Sequence, residues 1–234
     1  AIDYLVKPII KERLEKAVKK AKGKTKLILA SGDYLLDRSV VISDNISIIG
    51  ESAEKTIISF NPAAEKNSNY LFRVESGARL SFENVSLTAK NTAAVKYAIV
   101  SPKEDTPGSY SIFVNKSIIS DFTNAEGGSV IKASKGTFAD TIKISNSILR
   151  NNFRGINLSS EKDDTGKYNS ENVILENTVF VDFNQWVLNY YRGGNDESTV
   201  GGNLVVDHCI FTRTGTTEKD MVFQNKGIVN VKMT

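Results

Sequence analysis

One eight-residue phrase recurs five times in this chain and limits what it can fold into. It reads LSFENVSL at 80–87, IFVNKSII at 112–119, IKISNSIL at 142–149, VILENTVF at 173–180 and LVVDHCIF at 204–211. The fifth position falls on Asn84, Lys116, Asn146, Asn177 and His208, so successive copies stand 32, 30, 31 and 31 residues apart. In every phrase the first and third positions are apolar and the fourth is polar, which suits a strand with one buried face. A strand phrase returning at a near-constant interval, with no helical pattern between copies, is the mark of a solenoid. Gly50 occupies the same slot one interval before Asn84, so a degenerate copy precedes the five.

The fold expected is all-β: a right-handed parallel β-helix with a period of about 31 residues and an N-terminal capping α-helix. One period makes one rung, and rungs stack at about 4.8 Å, so six or seven span on the order of 30 Å. Alternation points Leu80, Phe82, Ile142, Ile144, Leu204 and Val206 inward, and the second and fourth phrase positions outward. The fifth-position column of Asn84, Lys116, Asn146, Asn177 and His208 is read as a structural ladder of inward-turned residues at a bend, each bonded to the next.

Residues 1–24 are assigned to the capping helix and 25–234 to the β-helix, a single domain or a piece of a longer protein. Ile9, Ile10, Leu14, Ala17, Val18 and Ala21 follow helical spacing, Pro8 suits a first turn and Gly23 a stop. A solenoid end needs such a cover because an open rung exposes core and unpaired strand edges.

Composition excludes several classes. Thirty Lys and Arg against 27 Asp and Glu give a net charge of +3, too small to imply nucleic acid. No run of about 18 apolar residues occurs, so no transmembrane segment is expected. The single cysteine, Cys209, rules out an intrachain disulfide and reads as a packed thiol inside the fifth phrase. His208 is the only histidine, and no Cys/His spacing supports zinc; the residues alone place no metal.

The densest set of candidate binding residues lies downstream of the third and fourth phrases. Arg150 and Arg154 hold the same offset as Asp182 to Gln185 one interval later, so they neighbour one another on consecutive rungs. Trp186, Tyr190, Tyr191 and Arg192 follow, with Arg213 one rung further. Aromatic rings stack on apolar sugar faces, and guanidinium groups pair bidentately with carboxylates, so Arg150, Arg154, Asp182, Asn184, Trp186, Tyr190, Tyr191, Arg192 and Arg213 form a candidate substrate ridge. The other placement is Trp186 and Tyr190 in the core with the arginines solvated.

The segment from Leu14 to Ala21, followed by Leu27 to Tyr34 with its Gly32–Tyr34 turn and by Ile46 to Gly50, resembles the start of right-handed parallel β-helix proteins active on polysaccharides. The phrases at Asn177–Phe180 and His208–Phe211 look like the chondroitinase-B and alginate-lyase-like branch of this pectin-lyase-type fold. That resemblance implies β-elimination of uronate polysaccharides by a lysine base with an assisting arginine. It also implies a calcium ion held by Asn and Glu residues. Val114 to Ser117 (VNKS) is the nearest run to the family's catalytic segment, but the preceding glutamates are missing and no Arg occurs between Lys116 and Arg150. No catalytic residue or calcium ligand is therefore carried over. Tyr190, Tyr191 and Lys143 remain as titratable groups that an elimination would need in neutral form. Separately, Tyr4 to Pro8 with Glu12 to Ala17 resembles the last strand and helix of response-regulator receiver domains, but the phosphoacceptor part is absent and the match is read as coincidental.

The resulting expectation is a monomeric carbohydrate-active protein, extracellular, periplasmic or on a bacterial surface, whose partner is an acidic polysaccharide. It acts as a lyase, or as a non-catalytic binding, structural or adhesive module.

Overall fold

The computed structural model describes residues 2–5, 13–64, 68–92, 94–160, 169–191, 202–215, 221–226 and 230–234. They form three parallel sheets. Sheet A contains, in spatial and chain order, Ile2–Leu5, Thr25–Leu29, Asn45–Gly50, Arg79–Glu83, Ser109–Asn115, Phe138–Ser145, Ser170–Glu176, Asn203–Asp207 and Asn230–Met233. Sheet B has seven strands from Gly32–Leu36 to Ile210–Thr214, and sheet C seven from Val40–Ile42 to Phe223–Lys226. The chain visits A, B and C in turn, and each strand pairs with its counterpart one period later. That is a parallel β-helix.

Register puts like above like. Ile46, Leu80, Ile112, Ile142, Val173 and Leu204 form one inward column of sheet A, and Ile48, Phe82, Val114, Ile144, Leu175 and Val206 the next. All twelve are at most 5% exposed. Each fully buried side chain of this size contributes roughly 1.5–3 kcal/mol, so these columns carry a large part of the driving force for stacking. Aromatic rings continue the pattern: Phe180 stacks on Phe211 from the next rung, ring centres 4.9 Å apart.

The repeated fifth position makes the corner between sheets A and B. Asn84, Lys116, Asn146, Asn177 and His208 have φ of 54°, 48°, 51°, 47° and 49°, the left-handed region that Asn visits most readily among non-glycine residues. Their side chains lie at the surface, so the expected inward ladder is corrected: the left-handed backbone selects this column, and the left-handed turn directs its side chains outward. Gly50 serves the same corner differently, since a Cβ there would stand 2.2 Å from the carbonyl oxygen of Asn84.

The inward ladder belongs to the next position. Val85 N–H donates to Ser117 Oγ (3.3 Å), Ser117 N–H to Ser147 Oγ (3.1 Å), and Ser147 N–H to Thr178 Oγ1 (3.4 Å). Each hydroxyl donates back to the carbonyl two residues earlier, on Asn115, Ser145 and Glu176. Cys209 occupies the following slot, its thiol 3.4 Å from the carbonyl of Asp207, and burial raises its pKa. An asparagine ladder does exist, on the outer face of sheet A. Asn230 donates to Asn203 Oδ1 (2.8 Å), Asn203 to Asn172 Oδ1 (3.0 Å), and Asn172 to the carbonyl of Asp140.

The N-terminal cover is shorter than 1–24. The helix α1 spans Arg13–Lys20, and Ile2–Leu5 is a strand paired in parallel with Thr25–Leu29, which extends sheet A by one strand. Tyr4 and Leu5 are thus strand residues; Pro8, Ile9 and Ile10 lie outside the described residues. Leu14, Ala17 and Val18 bury the inner face of the helix. Glu15, itself buried, accepts hydrogen bonds from the backbone N–H groups of Asp37 (3.0 Å) and Arg38 (3.2 Å) and pairs with the Arg38 guanidinium at 3.1 Å. Those contacts fix α1 against the first corner between sheets B and C. Among the described residues no helix is long and apolar enough to cross a membrane.

Replacing Ser147 by Ala leaves the buried Ser117 N–H without its acceptor and is expected to destabilise by about 1–3 kcal/mol. Ile144→Ala opens a cavity in the inward column and is expected to cost about 2–5 kcal/mol. Ile148→Ala, at an exposed position, is expected to change stability by less than about 0.5 kcal/mol. Urea unfolding midpoints at constant m measure all three.

Candidate functional site on the outer face of sheet A

The second and fourth phrase positions, with the residue that precedes each phrase, build the outer face of sheet A as three columns. The first runs Asn45, Arg79, Ser111, Thr141, Asn172, Asn203 and Asn230. Beside it lie Lys26, Ser47, Ser81, Phe113, Lys143, Ile174, Val205 and Lys232. The third runs Ile49, Glu83, Asn115, Ser145, Glu176 and Asp207, bordered by the corner residues Lys116, Asn146 and His208. The face therefore interleaves hydrogen-bonding groups and charges with half-buried Phe113, Ile174 and Val205.

Charge in the middle and later rungs is matched. Lys143 Nζ stands 2.7 Å from Glu176 Oε2, one rung away, and Lys116 Nζ 4.0 Å from Glu83. Asn115 donates to Glu83 (3.4 Å) and accepts from Asn146 (2.8 Å) and Ser145 (3.2 Å). His208 Nδ1 lies 2.7 Å from Asp207 Oδ1, which also accepts from the Thr234 hydroxyl. The Thr234 hydrogen bond, with that from His208, holds the Asp207 carboxyl below its ordinary range. The His208 side chain is largely exposed at this edge of the face. The first rungs differ: Lys24, Lys26 and Arg79 line a cleft to whose wall no carboxylate contributes among the described residues.

The calcium implied by the family resemblance does not fit these residues. Glu83 and Glu176 stand three rungs apart, on the order of 14 Å. Each is engaged with a lysine, and no group of three His, Cys, Asp or Glu side chains that could hold a metal occurs among the described residues.

The ridge expected downstream of the phrases does not come together as one surface. Trp186 is 6% exposed and Tyr190 fully buried, its hydroxyl donating to the Ser170 carbonyl; neither ring is open to a sugar. Trp186 instead lies under Arg154, whose guanidinium carbon is 5.2 Å from its ring centre and 5.1 Å from that of Phe153. Arg154 Nε donates to Gln185 (2.6 Å), and burial lowers its pKa from the ordinary guanidinium value. Asp182 and Arg213 form a bidentate pair one rung apart (2.5 and 2.9 Å), which depresses the Asp182 carboxyl. Arg150 and Asn184 are exposed on the sheet B side. Tyr191 closes a sheet C strand, and Arg192 lies outside the described residues. Asp182 (φ 58°) and Arg213 (φ 47°) belong with Asp121 (φ 69°) and Asn151 (φ 52°) to a second left-handed column, each five residues beyond a corner residue. The signal for sheet A's outer face in the sequence is the fourth phrase position, polar in all five copies as Glu83, Asn115, Ser145, Glu176 and Asp207.

In that second column Asp121 accepts from Thr88 (2.8 Å), Ser120 (2.7 Å) and Asn151 (2.7 Å). Burial pushes its carboxyl up, but these hydrogen bonds and the nearby Arg150 charge outweigh it and leave the pKa below the ordinary value of 3.8. A depressed carboxyl stabilises the fold above its unfolded pKa and loses that contribution as pH falls through the folded value. Thermal melts from pH 6 to pH 2 should show a shallower acid loss in Asp121→Asn than in the unaltered chain, with Asp121→Asn less stable at pH 6.

Among solved structures, the chain is similar to the PL6 family alginate lyase AlyGC, with a TM-score of 0.77 and 23% identity over 89% of this chain and 28% of that one. A mutant of the same lyase aligns with a TM-score of 0.76 and 22% identity over 94% of this chain and 29% of that one. The chain spans less than a third of the length of the lyase it matches. No family model and no curated protein matches it. What the two share is a fold: the parallel β-helix described here is the fold of a polysaccharide lyase.

Proposed function

We propose that this chain engages an acidic, uronate-containing polysaccharide along the outer face of sheet A. The observation that carries this reading is the face itself, which repeats hydrogen-bonding side chains at every rung, at a step of about 4.8 Å, close to the length of one sugar ring. Asn172, Asn203 and Asn230 supply amides in register, Phe113, Ile174 and Val205 supply apolar contact for ring faces, and lysines supply charge for carboxylates. The likeness to an alginate lyase fold supports the same class of ligand. With such a ligand, the proposed setting is extracellular, periplasmic or at a bacterial surface, and the proposed form is a monomer.

For a lyase, His208 is the candidate we take as proton acceptor: the Asp207 carboxylate contacts its Nδ1 and the ring is exposed near the end of the face. The non-catalytic reading is favoured by a different observation, that Lys116 and Lys143 are both engaged with glutamates.

Incubation with alginate, pectate and chondroitin, followed by absorbance of the unsaturated product, separates the two. A lyase gives rising absorbance that falls about 100-fold or more in His208→Gln, the loss expected for a general base. A binder gives no rise but retains signal on an array of acidic glycans. A blank array with no absorbance change overturns the proposal.

A further inference from the structure

The first rungs of sheet A carry a feature that the rest of the face lacks. Lys24, Thr25, Lys26, Asn45, Ile46, Ser47 and Arg79 line an open cleft of about 630 Å³. Elsewhere on this face cations sit beside carboxylates: Lys116 with Glu83, Lys143 with Glu176. Among the described residues no carboxylate contributes to the wall of the cleft, and Lys24, Lys26 and Arg79 have no ion-pair partner. Asp44, close by in sequence, is occupied as an acceptor for the Gly23 N–H (3.1 Å).

Arg79 is also held in place. Its guanidinium carbon lies 3.8 Å from the ring centre of Phe113 on the next rung, a cation–π contact that fixes the plane of the fork while leaving its N–H edges free. A cation positioned before the ligand arrives loses less side-chain freedom on binding, and a planar fork suits a carboxylate. Lys26 and Arg79 stand on strands two rung steps apart, on the order of 10 Å, with the Asn45 amide and Ser47 hydroxyl on the strand between them.

From this geometry we infer that the cleft is an anion subsite for an acidic saccharide: Lys26 and Arg79 bind carboxylates two sugar units apart, and Asn45 and Ser47 hydrogen-bond the unit between. The inference rests on the reading of sheet A as a polysaccharide face and adds where, and with what spacing, the charged groups are held. Nucleic acid fits less well, because affinity for a phosphate backbone grows from many cation contacts and this cleft offers three.

The test is titration calorimetry of the full chain with mono-, di-, tri- and tetrasaccharides of mannuronate and of galacturonate, and with a short DNA duplex. The trisaccharide is the first ligand to reach both cations, so affinity is expected to step up between two and three units. Lys26→Gln and Arg79→Gln are each expected to weaken trisaccharide binding by about 5- to 10-fold, Arg79→Lys by less, since it keeps the charge and loses the fork. Lys90→Gln, which removes the same charge in the turn after Ser86–Thr88, is expected to leave affinity unchanged, and matching melting temperatures show that the variants fold. If the unaltered chain binds the saccharides but Lys26→Gln and Arg79→Gln bind equally well, the subsite is overturned while the polysaccharide reading stands. If the unaltered chain binds no acidic saccharide, both fall. Equal or tighter binding of the duplex, lost in the same variants, overturns the saccharide assignment in favour of an unselective polyanion cleft.

Discussion

The stack depends on the hydrogen bond that each rung sends to the hydroxyl of the next at the A–B corner. A corner needs a left-handed residue to turn the chain, and a left-handed turn leaves the following N–H pointing along the axis rather than into a sheet ladder. Ser117, Ser147 and Thr178 accept that N–H and return their own proton to a carbonyl two residues back, so donor and acceptor are satisfied in one motif. All three hydroxyls are buried, where an unmade hydrogen bond would cost about 1–3 kcal/mol. Once the corners are aligned, sheet register follows, because one residue of slip would exchange every inward apolar side chain for an outward polar one. Cys209, a poorer partner in the same slot, sits where the last full rungs are less completely buried.

The same constraint decides where chemistry can be placed. Inward columns and corner hydroxyls are committed to the stack, which leaves the outward positions of each strand free to carry charge, amide or ring. Sheet A has the most strands of the three sheets, nine against seven and seven, so its outward positions form continuous rows rather than isolated side chains. Under the proposed function, a linear polymer is the ligand such rows would suit. The second left-handed column, Asp121, Asn151, Asp182 and Arg213, spends its polar groups differently, on rung-to-rung bonds such as Asn151 to Asp121 and Arg213 to Asp182. It resembles a binding ridge in composition and acts as a brace.

The fold was legible because two periods coincide: alternation within the phrase assigns inside and outside, and the interval near 31 residues assigns the rung. Leu80, Phe82, Ile142 and Ile144 needed no further information. Side-chain roles at the corner were not legible, since Asn is favoured both by a left-handed φ and by a hydrogen-bonded ladder. Lys116 and His208 in that column were the clue, because neither side chain suits an inward ladder while both tolerate a surface corner. Trp186 and Tyr190 were ambiguous for a related reason. Sheet C strands such as Ser129–Lys132 bury consecutive residues, Ser129, Val130 and Ile131 among them, so alternation does not say which ring faces out. At the N-terminus, helical spacing in Leu14 to Ala21 extended too easily back over Tyr4 and Leu5, whose partners in Thr25–Leu29 are set by tertiary pairing.

Along sheet A the electrostatics run from an unmatched basic cleft to charge pairs and then to the Asp207–His208 pair. Lys26 and Asp207 stand on strands six rung steps apart, about 29 Å at a spacing near 4.8 Å. A short oligosaccharide cannot occupy both ends, whereas a polymer can be held by its charge at the first rungs while a distant unit lies beside His208. Binding energy gathered at the cleft would then raise the local concentration of sugar at the far rungs without contributing to any change in the bonds there, the usual division between anchoring and positioning groups. Under the proposed function the charge pairs in between would have a role of their own: with Lys116 and Lys143 paired to Glu83 and Glu176, the strongest electrostatic hold on a polymer would stay at one end of the face.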